Sequence, residues 1–91
     1  MTEARTFRVV GRVQGVGFRW FTRDAARREG LSGWVRNEPD GSVEAFAEGD
    51  REALDRFEVK LNHGPAGARV DAVDVVPQPA TGQYVDFSTR G

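Results

Sequence analysis

Between Phe7 and Arg28 the apolar period of the chain changes from two to 3.6, and the change takes place within Gln14-Gly15-Val16-Gly17. Phe7, Val9, Gly11 and Val13 alternate with Arg8, Val10 and Arg12, which is the pattern of a strand with one buried face. Phe18, Phe21, Thr22 and Ala25 then fall at i, i+3, i+4 and i+7 and line one side of a helix, with Arg23, Asp24, Arg27 and Arg28 on the other side and Gly30 as its stop. A strand that feeds a helix through a short glycine loop is half of a βα unit, and that helix must cover a sheet.

The remaining pattern supplies the sheet. Leu31 to Asn37 and Ser42 to Glu48 alternate Val, Trp and Phe with polar residues across the turn Glu38-Pro39-Asp40-Gly41, and they are expected to form a hairpin. Asp50 is placed to cap a second helix, carrying Glu52 in its first turn and Leu54, Phe57 and Leu61 as its apolar stripe. That helix stops at Asn62-His63-Gly64-Pro65. Val70, Val73, Val75 and Val76 form a further strand, and the broken alternation between Val70 and Val73 is expected to be a bulge. Pro77, Pro79 and Gly82 make a loop before a short last strand of Tyr84, Val85 and Phe87. The order strand, helix, strand, strand, helix, strand predicts an α+β fold of the ferredoxin-like split βαβ kind: an antiparallel sheet with two helices on one face.

A chain of 91 residues builds one core, so residues 1–91 are expected to be a single domain. Hydrophobic residues at 38% and charged residues at 30% suit a soluble globular protein. A net charge of −1 and a pI near 5.8 argue against nucleic acid or an anionic membrane as partner. No cysteine and one histidine exclude thiol nucleophiles and thiolate metal sites and leave little for a histidine metal centre, so neither metal nor cofactor is expected. No long apolar run resembles a signal peptide or a membrane span, and a cytoplasmic monomer is the expectation.

Fold alone does not assign a function, so the loop has to. Glycines let successive backbone N–H groups point inward, and the first helical turn adds free N–H donors and partial positive charge, which together make an anion cradle. A plain strand-to-helix turn would use the same glycines. Arg19 distinguishes the two. A cation in the first turn opposes the helix dipole at about 0.3–1 kcal/mol. Arg19, Arg23 and Arg27 also follow one another at i+4, where like charges repel. Local stability does not select this arrangement, and a bound phosphate would reconcile the three cations with the loop donors, unless Arg23 and Arg27 are solvated surface charges.

Gly11-x-Val13-Gln14-Gly15-Val16-x-Phe18-Arg19 resembles the first signature of the acylphosphatases, and Gly33-Trp34-Val35-Arg36-Asn37-x-x-x-Gly41-x-Val43-x-x-x-x-x-Gly49 resembles their second. The resemblance spans essentially the whole chain. It departs at Phe87-Ser88-Thr89-Arg90-Gly91, which lacks the aliphatic and aromatic ending common in the family. It implies hydrolysis of an acyl phosphate to a carboxylate and inorganic phosphate, the latter a product and inhibitor. Arg19 and Asn37 would be catalytic: Arg19 to hold the phosphate, Asn37 to hold the attacking water. The phosphate would sit on Gln14, Gly15, Val16, Gly17, Phe18 and Arg19. Without the resemblance, Asn37 reads as a turn residue before Glu38-Pro39-Asp40-Gly41.

Two other readings use the same features. An RNA-binding module of the same architecture would read bases on aromatic residues, and Gly17-Phe18-Arg19-Trp20-Phe21 has some likeness to such a signature, but these aromatics continue helically. A noncatalytic phosphate or acyl-phosphate sensor would share the cradle without needing Asn37. His63 is expected in an exposed loop without a role, and Trp20 and Trp34 as packing rather than as the rim of a substrate mouth.

Overall fold

The computed structural model describes all 91 residues. The elements run β1 (Thr2–Arg12), α1 (Phe18–Arg28), β2 (Ser32–Asn37), β3 (Val43–Asp50), α2 (Arg51–His63), β4 (Arg69–Gln78) and β5 (Phe87–Arg90). β1 starts five residues ahead of its apolar alternation because the backbone ladder continues to Thr2, opposite Asp50 of β3. The sheet order is β4-β1-β3-β2-β5, with β1 antiparallel to both β3 and β4, and β2 antiparallel to β3.

One sheet face is apolar and carries the helices. Phe7, Val9, Val35, Val43, Ala45 and Ala47 pack against Phe18, Ala25 and Ala26 of α1 and Leu54, Phe57 and Leu61 of α2. The Phe57 ring sits edge-on to Phe7 at 5.2 Å and to Phe87 at 5.9 Å. Arg5 reaches from β1 to Asp55 of α2 at 2.9 Å. The bulge stands where the broken alternation places it: Val10 opposes Ala72 and Gly11 opposes Val70, which leaves Asp71 between them without a partner. Asp50 takes the extended backbone of a cap but makes no side-chain cap bond, and His63, although exposed, is the last residue of α2 rather than part of a loop.

The sheet differs from the expected all-antiparallel one at its far edge, where β5 lies parallel to β2, with Gly33 opposite Phe87 and Arg36 opposite Arg90. The reason is directional. β4 finishes at the end of the sheet where β2 begins, so a chain that crosses laterally and enters the next strand at once must run alongside β2. Tyr84 and Val85, expected in the last strand, belong to this crossover. Tyr84 lies on Phe46, 5.6 Å between ring centroids, and Phe46 stacks on Trp34 at 6.4 Å. Because Ala45 and Ala47 face the helices, Phe46 projects from the other side, so the crossover covers the face the helices leave open.

Glu48 fastens this crossover. The residue is 3% exposed, and its carboxylate accepts from the Thr81 hydroxyl at 2.7 Å, the Thr81 N–H at 2.9 Å and the Gly82 N–H at 3.1 Å. Burial pushes the carboxyl up, and these donors from Thr81 and Gly82 outweigh burial and hold it below its ordinary value of 4.5. Stability from a lowered carboxyl is present above the ordinary value and lost as pH falls through the folded one. Glu48→Gln sets an amide NH2 against the same N–H donors, so it is expected to cost about 1–3 kcal/mol at neutral pH. The deficit against the parent should shrink as pH falls below 4.5. Urea unfolding of both proteins across the acid range measures this, and a deficit independent of pH would deny Glu48 the role of an ionised clasp.

Candidate active site

Gly15 and Gly17 stand at φ 76° and 78°, in the left-handed region. A Cβ on either would meet nothing within 4 Å, so the backbone conformation asks for glycine there, not crowding. Gly17 precedes α1, which has no side-chain cap and no acidic residue in its first turn. Phe21 is the first residue of the turn to donate its N–H within the helix, to Gly17 O at 3.0 Å, and the N–H groups of the loop and first turn ahead of it stay open. Phe18, 2% exposed, drives into the core and pins the start of the helix beneath the loop.

The loop is tied to the β2–β3 hairpin. Gln14 Nε2 donates to the carbonyls of Glu38 at 2.7 Å and Ser42 at 2.9 Å. Inside the turn, Asp40 accepts from the Ser42 hydroxyl at 2.6 Å and the Ser42 N–H at 2.9 Å, and pairs with Arg8. These partners, the Ser42 hydroxyl first, hold the Asp40 carboxyl far below its ordinary value. The bracing holds the turn next to Asn37, which ends β2 with its main chain opposite Val43 and whose exposed carboxamide has no partner within the chain. Val13, Gly15, Gly17, Phe18, Arg19, Trp20 and Asn37 line one cavity of about 110 Å³.

The structure thus brings Gly15, Gly17, Phe18, Arg19 and Asn37 together. The side chains of Gln14 and Val16 are turned to other uses, the Gln14 amide committed to the hairpin and the Val16 side chain packed on the core, while the Val16 N–H is among the open donors. The three arginines separate too. Arg23 donates to Asp24 at 3.0 Å and lies over Trp20 at 4.4 Å, while Arg27 donates to Asp86 at 3.0 Å and to Phe87 O at 3.1 Å. One anion gathering all three is therefore not what the fold provides; local partners relieve the repulsion of Arg23 and Arg27. Arg19 alone of the three lines the cavity, and its Nη1 donates to the Arg90 carbonyl at 3.2 Å and to a main-chain oxygen of Gly91 at 2.9 Å. Sequence reasoning missed those oxygens, which reach Arg19 because β5 runs parallel to β2 and ends beside it.

The acylphosphatase family model matches residues 5–89, almost the whole chain. The chain belongs to the acylphosphatase family. The acylphosphatase of Salinibacter ruber is 50% identical over 90 residues, covering 98% of this chain and 95% of that one. That of Koribacter versatilis is 55% identical over 73 residues, covering 80% of this chain and 66% of its own length. The crystal structure of the acylphosphatase from Bacillus subtilis matches with a TM-score of 0.92 at 37% identity, each chain covered 100%. Acylphosphatases are hydrolases of acyl phosphates, the activity that the two signatures imply for this chain. The aromatics that resemble an RNA signature lie on α1, with Phe18 buried in the core, and offer no stacking platform on the sheet.

Proposed function

We propose that the cavity holds the phosphoryl group of an acyl phosphate and that Asn37 places the water that attacks it. The observation that carries this reading is that Gly15, Gly17, Arg19 and Asn37 line one small cavity, where the loop N–H groups and the Asn37 carboxamide have no partner within the chain. At about 110 Å³ it falls well short of the roughly 300–1,000 Å³ typical of larger ligands, and suits a phosphoryl group whose acyl part stays outside.

Phosphoryl transfer needs stabilised charge on the nonbridging oxygens and an aligned nucleophile. The loop donors hold those oxygens and the planar fork of Arg19 meets two of them at once, a match that lysine lacks. Asn37 orients water in line with the scissile P–O bond. Its amide is no base; the water proton passes to a phosphoryl oxygen. The P–O bond to the acyl oxygen breaks, and a carboxylate leaves with the bonding pair without needing an acid. Inorganic phosphate, as the product, occupies the same donors and inhibits.

The same reading makes the loop a phosphate-binding loop and the reaction independent of metal, in a chain that works as one unit, as a monomer, in the cytoplasm, without nucleic acid or membrane as partner. The acidic pI supports the last two, and no helix is long and apolar enough to cross a membrane. Hydrolysis of benzoyl phosphate, with a phosphate monoester as control, is the test. Turnover of the acyl phosphate alone, persisting in excess chelator, is expected. Loss in chelator with recovery on adding a divalent ion would overturn the metal-independent mechanism.

A further inference from the structure

Trp20 and Trp34 read alike in the sequence, and the fold treats them differently. Trp34 lies on the open sheet face, stacked on Phe46 and flanked by the guanidinium groups of Arg36 at 4.7 Å and Arg90 at 4.8 Å. Trp20 is 54% exposed on the first turn of α1 and lines the cavity. Its ring is not loose. The Arg23 guanidinium sits 4.4 Å from the ring centroid, and Arg23 is itself held by two bonds to Asp24 Oδ1, at 3.0 and 3.2 Å.

Isolated exposed hydrophobic residues are ordinary on a protein surface, and Met1, Val59, Val76 and Val85 are further examples here. None of those four touches the cavity. Of the large apolar side chains that do, Val13 and Phe18 are 1% and 2% exposed and offer a ligand almost nothing. If the phosphoryl group fills the cavity, the acyl group projects from its mouth, and Trp20 is the apolar surface waiting there, already oriented by Arg23.

We propose that Trp20 is the platform for the acyl group and that the site favours acyl phosphates with aromatic or extended apolar acyl groups over small ones. This rests on the phosphoryl-site reading above and adds the part of the substrate that the cradle does not contact. The contact is made equally in ground and transition states, so it acts through KM rather than kcat.

The test compares benzoyl phosphate with acetyl phosphate in the parent, Trp20→Ala and Trp20→Phe, together with the inhibition constant of inorganic phosphate. In the parent, kcat/KM should favour benzoyl phosphate. In Trp20→Ala the benzoyl-to-acetyl ratio should fall about tenfold, equivalent to about 1.4 kcal/mol, with the change in KM. Trp20→Phe should restore most of it, and phosphate inhibition should stay within about twofold in both variants. An unchanged ratio overturns the proposal. Equal losses for both substrates, accompanied by weaker phosphate inhibition, also overturn it and make Trp20 a support of the cradle. A parent that hydrolyses neither substrate overturns the phosphoryl-site reading, and the platform with it.

Discussion

Arg19→Ala should lose at least about 10³ in kcat/KM for acyl phosphates, and inorganic phosphate should cease to inhibit it. One preorganised donor lost from a developing charge typically costs about 10²–10³ in rate, and here the same group also binds the ground-state phosphate. The structure separates this from a folding role. Arg19 pairs with no Asp or Glu side chain, and its bonds to the main-chain oxygens of Arg90 and Gly91 lie at the surface, while its charge opposes the dipole of α1. In phosphate-free buffer the variant should therefore unfold within about 1 kcal/mol of the parent. Phosphate at ten times its Kd stabilises the parent by about 1.4 kcal/mol and should leave the variant unmoved. Arg19→Lys keeps the charge without the fork and should recover only part of the activity. Thermal melts at matched ionic strength, with and without phosphate, decide the matter: a variant losing more than about 2 kcal/mol in phosphate-free buffer would make Arg19 a structural residue.

Asn37→Ala should lower kcat by about 10²–10³ and leave phosphate inhibition within about threefold. The two variants should part company because the proposed mechanism gives Asn37 the attacking water and gives the loop and Arg19 the phosphoryl oxygens. Asn37 is exposed and its side chain has no partner within the chain, so its removal should leave the melting temperature almost where it was. Steady-state kinetics with benzoyl phosphate, with phosphate as inhibitor, is the measurement. Near-normal turnover excludes Asn37 from positioning the water; an equal loss of phosphate affinity moves it into the cradle.

Periodicity reports which side of an element is buried, and on that it read well: the apolar faces of β1, α1 and α2, the β2–β3 hairpin and the Asp71 bulge all stand where the pattern placed them. It carries no information about lateral order in a sheet. Nothing in Phe87-Ser88-Thr89-Arg90 says that this strand lies beside β2, because the choice was made by the direction in which β4 ends. The site divides along the same line. Gly15, Gly17, Arg19 and Asn37 were visible through a violated dipole rule and two family signatures. The commitments of Gln14 to the hairpin and of Arg27 to Asp86 depend on elements distant in sequence, and no local rule reports them. Trp20 and Trp34 were both expected to be packing, and only the packed fold shows that one of them lines the cavity.

The place of β1 in the sheet has a consequence for the order in which the chain is made. β1 leaves the ribosome before β3 and β4, the two strands it sits between, so its Val9 must wait for Val43, 34 residues later, and for Val73, 64 residues later. At roughly 5–20 residues per second, the edge of β1 that belongs to β4 stays unpaired for about 3–13 s of synthesis. For the first part of that interval β3 and α2 are not yet made, and even afterwards the β4 side of β1 is open, so the nascent chain carries an open strand edge for longer than most elementary folding steps take.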